Sequence, residues 1–256
     1  MNAIDPRRPE AEFDDYARDY DAGMENRLKS LLGASAETYL AIKLQWLLRR
    51  YPDLRGAGPS FQILDYGCGA ATMLRLIAEA GVQARLAGCD VAGEMLAEAE
   101  RRWPAGLQRP SFCLQEGSRA PLPTQFADLV MISAVLHHVL PSDRPGVYAE
   151  LRRLLRPGGR VVVFEHNPLN PLTRYVVATT PIDRNAILLR AREVVDALGR
   201  AGFTDIRTSY LMFLPPRLHR LAAIERALEW LPLGAQFAVT ARAPVSEMAP
   251  AAGLQP

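Results

Sequence analysis

Lysine is almost missing from this 256-residue chain: Lys29 and Lys43 are its only two, both before the first strand pattern, and arginine supplies the rest of the basic charge. No Tyr-x-x-x-Lys pair for hydride chemistry can therefore be formed within the central region. Net charge is only +2, and no basic stripe offers phosphate contacts, so nucleic acid is not expected as a partner. Cysteine is scarce too. Cys68, Cys89 and Cys113 are odd in number and widely spaced, which excludes a disulfide framework and shows no metal-ligand spacing; no metal is expected. They read as reduced, partly buried thiols of a cytoplasmic protein. No apolar run approaches the length of a membrane span, and Met1 to Arg8 lacks the apolar core of a signal peptide, so no integral membrane segment is expected. What remains, 49% hydrophobic and 23% charged, suits one well-buried core with appended segments.

The most informative stretch is Ile63-Leu64-Asp65-Tyr66-Gly67-Cys68-Gly69. A buried-strand run from Phe61 to Leu64 meets an acid and two close glycines, and an Ala/Leu-rich helix pattern follows from Ala70 to Ala80. Glycines in a strand-to-helix turn let a ligand approach the backbone. About twenty residues on, Leu86 to Asp90 reads as a second strand ending in an acid that can accept hydrogen bonds from both hydroxyls of a ribose. A nucleoside-containing cofactor is implied. A dinucleotide fingerprint would place a third glycine where Thr72 stands, and would not need Asp65 before the turn.

Further strands are read over Phe126 to Ser133 and Val161 to Phe164. Between them lie Ala134-Val135-Leu136-His137-His138-Val139, a helix with Val147, Leu151, Leu154 and Leu155, and the break Pro157-Gly158-Gly159. Taken in order, Asp65-x-Gly67-x-Gly69, Asp90, the Ser133 to Val139 phrase and the Pro-Gly-Gly break resemble the class I S-adenosylmethionine-dependent methyltransferases. The resemblance is to small-molecule enzymes of the ubiquinone/menaquinone-biosynthesis type, and it is strongest over the middle half of the chain. It implies a Rossmann-like, doubly wound, seven-stranded, mostly parallel α/β sheet with helical lids. The implied cofactor is S-adenosylmethionine, and the implied partner is a small-molecule acceptor methylated on O, N or C. Gly67 and Gly69 would pass its methionine part, Asp65 would stand near its cationic end, and Asp90 would hold the ribose. Val91 and Met95 would pack on adenine, and Glu116, Gly117, Ser118 and Ser133 would complete the cofactor site. The N/D-P-P-Y clamp of base-amino methyltransferases is missing after the fourth strand. A nicotinamide-dependent Rossmann oxidoreductase, or a catalytically silent protein of the same fold, are the alternatives.

Residues 1–58 are read as an N-terminal helical lid, with an amphipathic helix from Ala36 to Arg50 and a hinge at Arg55 to Pro59. The phrase Phe13 to Asp21 resembles the same family's N-terminal region and places Tyr16 and Tyr20 as substrate-facing candidates. The core is read as 59–243 with a lid insertion at about 167–190, and 244–256 as a disordered tail. The polar series Glu165-His166-Asn167 follows the fifth-strand pattern, at the strand end where open α/β sheets bind ligands. His137 and His166 are the candidate bases, with Glu165 as an orienting carboxylate and Asn167 as a substrate contact. His138 is read as structural and His219 as a surface residue. The late apolar series Leu218 to Trp230 is read as a helix packed on the sheet.

Overall fold

The alternation of strand and helix patterns closes into one sheet wrapped on both faces. The structure, a computed structural model, describes residues 35–215 and 222–245. Its elements are α1 (Ala36–Arg50), β1 (Gln62–Tyr66), α2 (Thr72–Glu79), β2 (Arg85–Asp90), α3 (Gly93–Arg102), β3 (Ser111–Leu114) and β4 (Ala127–Ser133). They continue with α4 (Arg144–Leu154), β5 (Leu155–His166), α5 (Pro171–Thr179), α6 (Ala191–Arg200), β6 (Thr204–Leu211), α7 (Ala222–Ala227) and β7 (Gln236–Arg242). The strands lie in the order β3-β2-β1-β4-β5-β7-β6. The first five are mutually parallel, while β7 runs antiparallel between β5 and β6. Strand order reverses between β1 and β4, the switch point where open α/β sheets leave a crevice at the carboxyl ends.

Near-continuous apolar strands are required because both faces are covered. Val130 and Ile132 of β4, with Val161 and Val163 of β5, pack beneath α4 and α6 through Leu151, Val194 and Leu198. The alternate residues Leu129, Met131, Val162 and Phe164 face the other way, onto Leu44, Leu47 and Leu48 of α1 and Leu74 and Ile77 of α2. Helix α1 begins at a reciprocal cap, in which Thr38 N–H donates to Ser35 Oγ and Ser35 N–H to Thr38 Oγ1. It is tied to the β6–β7 connection by Trp46 Nε1 donating to Glu229 and by the Arg49–Glu229 ion pair.

Several sequence readings shift. Helix α2 starts at Thr72 rather than Ala70, because Ala71 takes a left-handed φ of 57° that no helix accommodates. Strand β5 starts at Leu155, runs through the Pro-Gly-Gly break and ends only at His166, so Glu165 and His166 are strand residues, not loop residues. Gly158 and Gly159 allow this because the break is stitched to the end of β7: Gly158 N–H donates to Ala243 O, and Ala243 N–H to Gly159 O. In the late apolar series, helix α7 is short, and Ile224, Trp230 and Leu233 are exposed rather than packed on the sheet. Tyr16, Tyr20, Leu218, His219 and residues 246–256 lie outside the described residues. Among the described residues, no helix is long and apolar enough to cross a membrane.

Candidate active site

The turn after β1 is built from positive-φ residues, Gly67 at 73° and Gly69 at 51°. Gly67 and Cys68 N–H groups both donate to Cys89 O, at 2.8 and 3.0 Å, which hooks the turn onto β2. Gly69 N–H donates to Asp90 Oδ2 at 2.7 Å and Ala92 N–H to Asp90 Oδ1 at 3.0 Å. Asp90 thus pins two loops at the cavity wall. A Cβ on Gly67 would lie 2.4 Å from a Val135 methyl. Gly67→Ala is therefore expected to destabilise the protein by about 1–3 kcal/mol, through strain at positive φ and overpacking. Chemical denaturation measures this, and an unchanged midpoint would show that the turn has room to relax.

A cavity of about 770 Å³ opens above this turn, at the carboxyl ends of β1, β2 and β4. Asp65, Gly67, Gly69, Asp90, Val91, Met95, Gly117, Ser118 and Ser133 all line it. Glu116 does not. Its side chain is exposed and its backbone is used in a small bridge to Arg119, while the preceding Gln115 is buried and turned into the cavity. Burial and the neighbouring Asp90 push the Asp65 carboxyl up to about 7, with Lys43 opposing. Lys43, only 3% exposed on α1, also reaches the cavity, donating to Ser133 Oγ at 2.9 Å with its ammonium 5.7 Å above the Phe164 ring. The cavity thus carries the Lys43 side chain and a carboxyl that burial keeps protonated up to about pH 7.

At the other end, three histidines crowd together. His137 does not face the cavity as the sequence reading had it. It is 1% exposed, with Nδ1 2.6 Å from Glu165 Oε2. Glu165 is equally buried and off the cavity wall: its Oε1 accepts Val135 N–H at 3.1 Å and Leu136 N–H at 2.7 Å. It therefore fixes the turn after β4. Burial would lower the His137 pKa, but Glu165 and Asp183 more than offset this and hold it at about 9. His138, read as structural, is the neighbour that reaches the cavity. Its Nε2 stands 3.5 Å from Asp183 Oδ1, and His137 Nε2 stands 3.4 Å from the same oxygen. His166 also lines the cavity, and its pKa is pushed down to about 3 by burial and by His137. Asn167 leaves the site altogether: its Nδ2 donates to Pro232 O and Gly234 O and its Oδ1 accepts Leu169 N–H, so it fastens the β5 end to the β6–β7 connection.

Known proteins resemble this chain in sequence and fold. Residues 63–159 match the family described as "methyltransferase domain". Demethylmenaquinone methyltransferase of Beutenbergia cavernae is 32% identical over 162 residues, 63% of this chain and 59% of that protein. Residues 63–159 thus form a methyltransferase domain, and the chain resembles the class I S-adenosylmethionine-dependent methyltransferases. Nocamycin O-methyltransferase of Saccharothrix syringae is 34% identical over 188 residues, 62% of this chain and 65% of that protein. The matched stretch thus spans about three-fifths of the length of these curated relatives. A phosphoethanolamine N-methyltransferase 2 from Haemonchus contortus, solved with phosphomonomethylethanolamine and S-adenosylhomocysteine, shares the fold. Its TM-score is 0.63 at 17% identity, over 94% of this chain and 61% of that one. A methyltransferase from Archaeoglobus fulgidus gives 0.59 at 19% identity, over 84% and 97%.

Among the polar cavity residues that escaped the sequence reading are Lys43, Gln115, His138 and Asp183. Lys43 carried a signal, since a lysine among Leu40, Leu44 and Leu47 on an apolar helix face is unusual without a partner. Asp183, on the segment read as a lid, becomes a site residue only when the residues after α5 fold back, with Ile187 N–H donating to His137 O at 2.7 Å.

Proposed function

We propose that this protein transfers a methyl group from S-adenosylmethionine to a small-molecule acceptor in the cytoplasm. The observation that carries this is the buried pair Lys43 and Asp65 beside the glycine turn, with Asp90 one strand away. A zwitterionic amino-acid end and a ribose are the chemistry these three groups suit: Lys43 for the α-carboxylate, Asp65 for the α-ammonium, Asp90 for the hydroxyls. Val91 and Met95 would pack on adenine, and Gln115, with Gly117 and Ser118, would meet its polar edge. The Asp65 carboxylate would repel a pyrophosphate, which disfavours a dinucleotide.

The cofactor supplies a sulfonium methyl with an already activated leaving group, so the chain's own part is orientation and exclusion of water. His166, kept neutral at working pH, would accept a hydrogen bond from the acceptor and aim it; His138 stands beside it on the same wall. Apolar residues of the opposite wall, Tyr39, Leu40, Leu172 and Val176, suit an acceptor with a hydrophobic body.

Calorimetric titration of cofactor-stripped protein with S-adenosylhomocysteine, with NADH and NADPH as controls, tests the reading. Saturable micromolar binding of S-adenosylhomocysteine alone is expected, about −8 kcal/mol. Binding of a nicotinamide cofactor instead would sink it, and binding with no turnover across an acceptor screen would mark a silent member of the family.

Asp65 adds a pH signature. Its folded pKa lies above the unfolded value, so the folded chain keeps a proton that the unfolded chain has released. The stability of the ligand-free protein should therefore fall as pH rises from about 4 to about 7 and then level off. A ligand ammonium favours the ionised form, so S-adenosylhomocysteine affinity should rise over the window up to pH 7, with proton release. Asp65→Asn should flatten both slopes and weaken binding at pH 8. Proton release unchanged in Asp65→Asn, read by titration in buffers of different ionisation enthalpy, would assign the effect elsewhere.

A further inference from the structure

We propose that His137, His138 and Asp183 form a binding site for a single first-row divalent metal ion of the zinc or iron(II) type, at the acceptor end of the cavity. Their donor atoms lie within 4.8 Å of one another. The carboxylate oxygen sits 3.4 Å from His137 Nε2 and 3.5 Å from His138 Nε2, longer than good hydrogen bonds. Bonds of about 2.0–2.2 Å to one tetrahedral ion would set such atoms roughly 3.3–3.5 Å apart. His137 Nε2, although buried, has no hydrogen-bond partner among the described residues.

The support around this set is that of a metal site. Glu165 already accepts two backbone N–H groups, so it is an ionised acceptor and His137 Nδ1–H must donate to it. An ion that displaces the Nε2 proton would meet a lone pair on the side of Asp183, with Nδ1–H held on Glu165, the carboxylate–histidine arrangement that orients metal ligands. Asp183 is carried on a segment fastened to the histidine turn by Ile187 N–H to His137 O and by Arg144 to Ile187 O. Two imidazoles and one carboxylate favour zinc, iron(II), cobalt or nickel over magnesium or calcium, which prefer all-oxygen shells. Three protein ligands leave coordination positions open, and His138 and Asp183 both border the cavity.

The role of such an ion rests on the methyl-transfer reading, whereas its binding does not. An acceptor hydroxyl or enol entering an open position would have its pKa lowered by the ion. Its O–H bond breaks, the proton passes to water through the open cavity, and the oxygen is presented as the nucleophile. The acceptor class narrows accordingly to oxygen acceptors able to ligate a metal.

The test is cobalt(II) titration of chelator-treated, full-length protein, followed by visible absorption and calorimetry. One equivalent should bind, with ligand-field bands of a four- or five-coordinate nitrogen/oxygen site and no thiolate charge-transfer band. Asp183→Asn should weaken binding by more than the 10–100-fold that loss of a supporting outer-sphere partner costs. His138→Ala, on the cavity wall, should do the same and keeps the test available if Asp183→Asn does not fold. Glu165→Gln should weaken binding by about 10–100-fold. No binding tighter than millimolar, binding that survives both ligand variants, or a thiolate band would each overturn the site; the first would leave His137 as a cation shared between two carboxylates. None of these outcomes touches the S-adenosylhomocysteine titration, so the two readings fail separately.

Discussion

Glu165→Ala should cost about 3–5 kcal/mol of folding stability, the range for removing one partner of a buried ion pair. The loss has three parts on the same side chain. Val135 and Leu136 lose the acceptor for their N–H groups, and His137, 1% exposed, loses the carboxylate 2.6 Å from Nδ1. Each buried donor left without a partner costs about 1–3 kcal/mol, partly recovered if water enters the space. For a chain of this size the melting temperature should drop by roughly 10 °C. Glu165→Gln should lie between, because a carbonyl oxygen still serves the backbone while the charge is gone. Thermal and urea melts decide; a loss under 1 kcal/mol in Glu165→Ala would mean that the His137 corner is not a structural keystone.

Asp90→Ala should weaken S-adenosylhomocysteine binding by about 1.5–3 kcal/mol, or roughly 10- to 150-fold, for the lost charged hydrogen bonds to the ribose. Part of the effect is indirect. The same carboxylate holds Gly69 N–H and Ala92 N–H, so its removal loosens both turns that face the cofactor. Asp90→Asn separates the two contributions: its single carbonyl oxygen can hold one turn, and its amide nitrogen cannot accept a ribose hydroxyl. A folded Asp90→Ala protein with unchanged affinity would remove Asp90 from the ribose role.

The glycine turn, the acid ending β2 and the apolar strands β1, β4 and β5 were legible because each is a local signal: a breaker, a charge after an apolar run, a β-branched series. Helix α1 was read with its observed ends, since its apolar face is regular; the Ser35 cap appears in the structure. The histidines were legible as a group but not in their roles. His137 and His138 are adjacent, and a short 3₁₀ turn, Leu136–His138, decides which ring enters the core and which reaches the cavity. Glu165 looked like loop chemistry because Pro-Gly-Gly resembles the end of a helix and the start of a strand, not a passage within one. Asn167 looked like a substrate contact because a polar residue after a strand reads the same whether it faces a ligand or fastens a backbone.

By itself, then, the sequence determined the doubly wound architecture and the glycine turn and Asp90 that border the cavity, because periodicity and turn chemistry act over a few neighbouring residues. The rest of the cavity wall was decided only by tertiary structure. Lys43, His138, His166 and Asp183 come from a flanking helix, a turn, a strand end and a folded-back segment, and their meeting depends on how α1 and residues 167–190 pack over the sheet. No local pattern records a juxtaposition of residues 43, 138 and 183; burial and the charges that burial forces together create it.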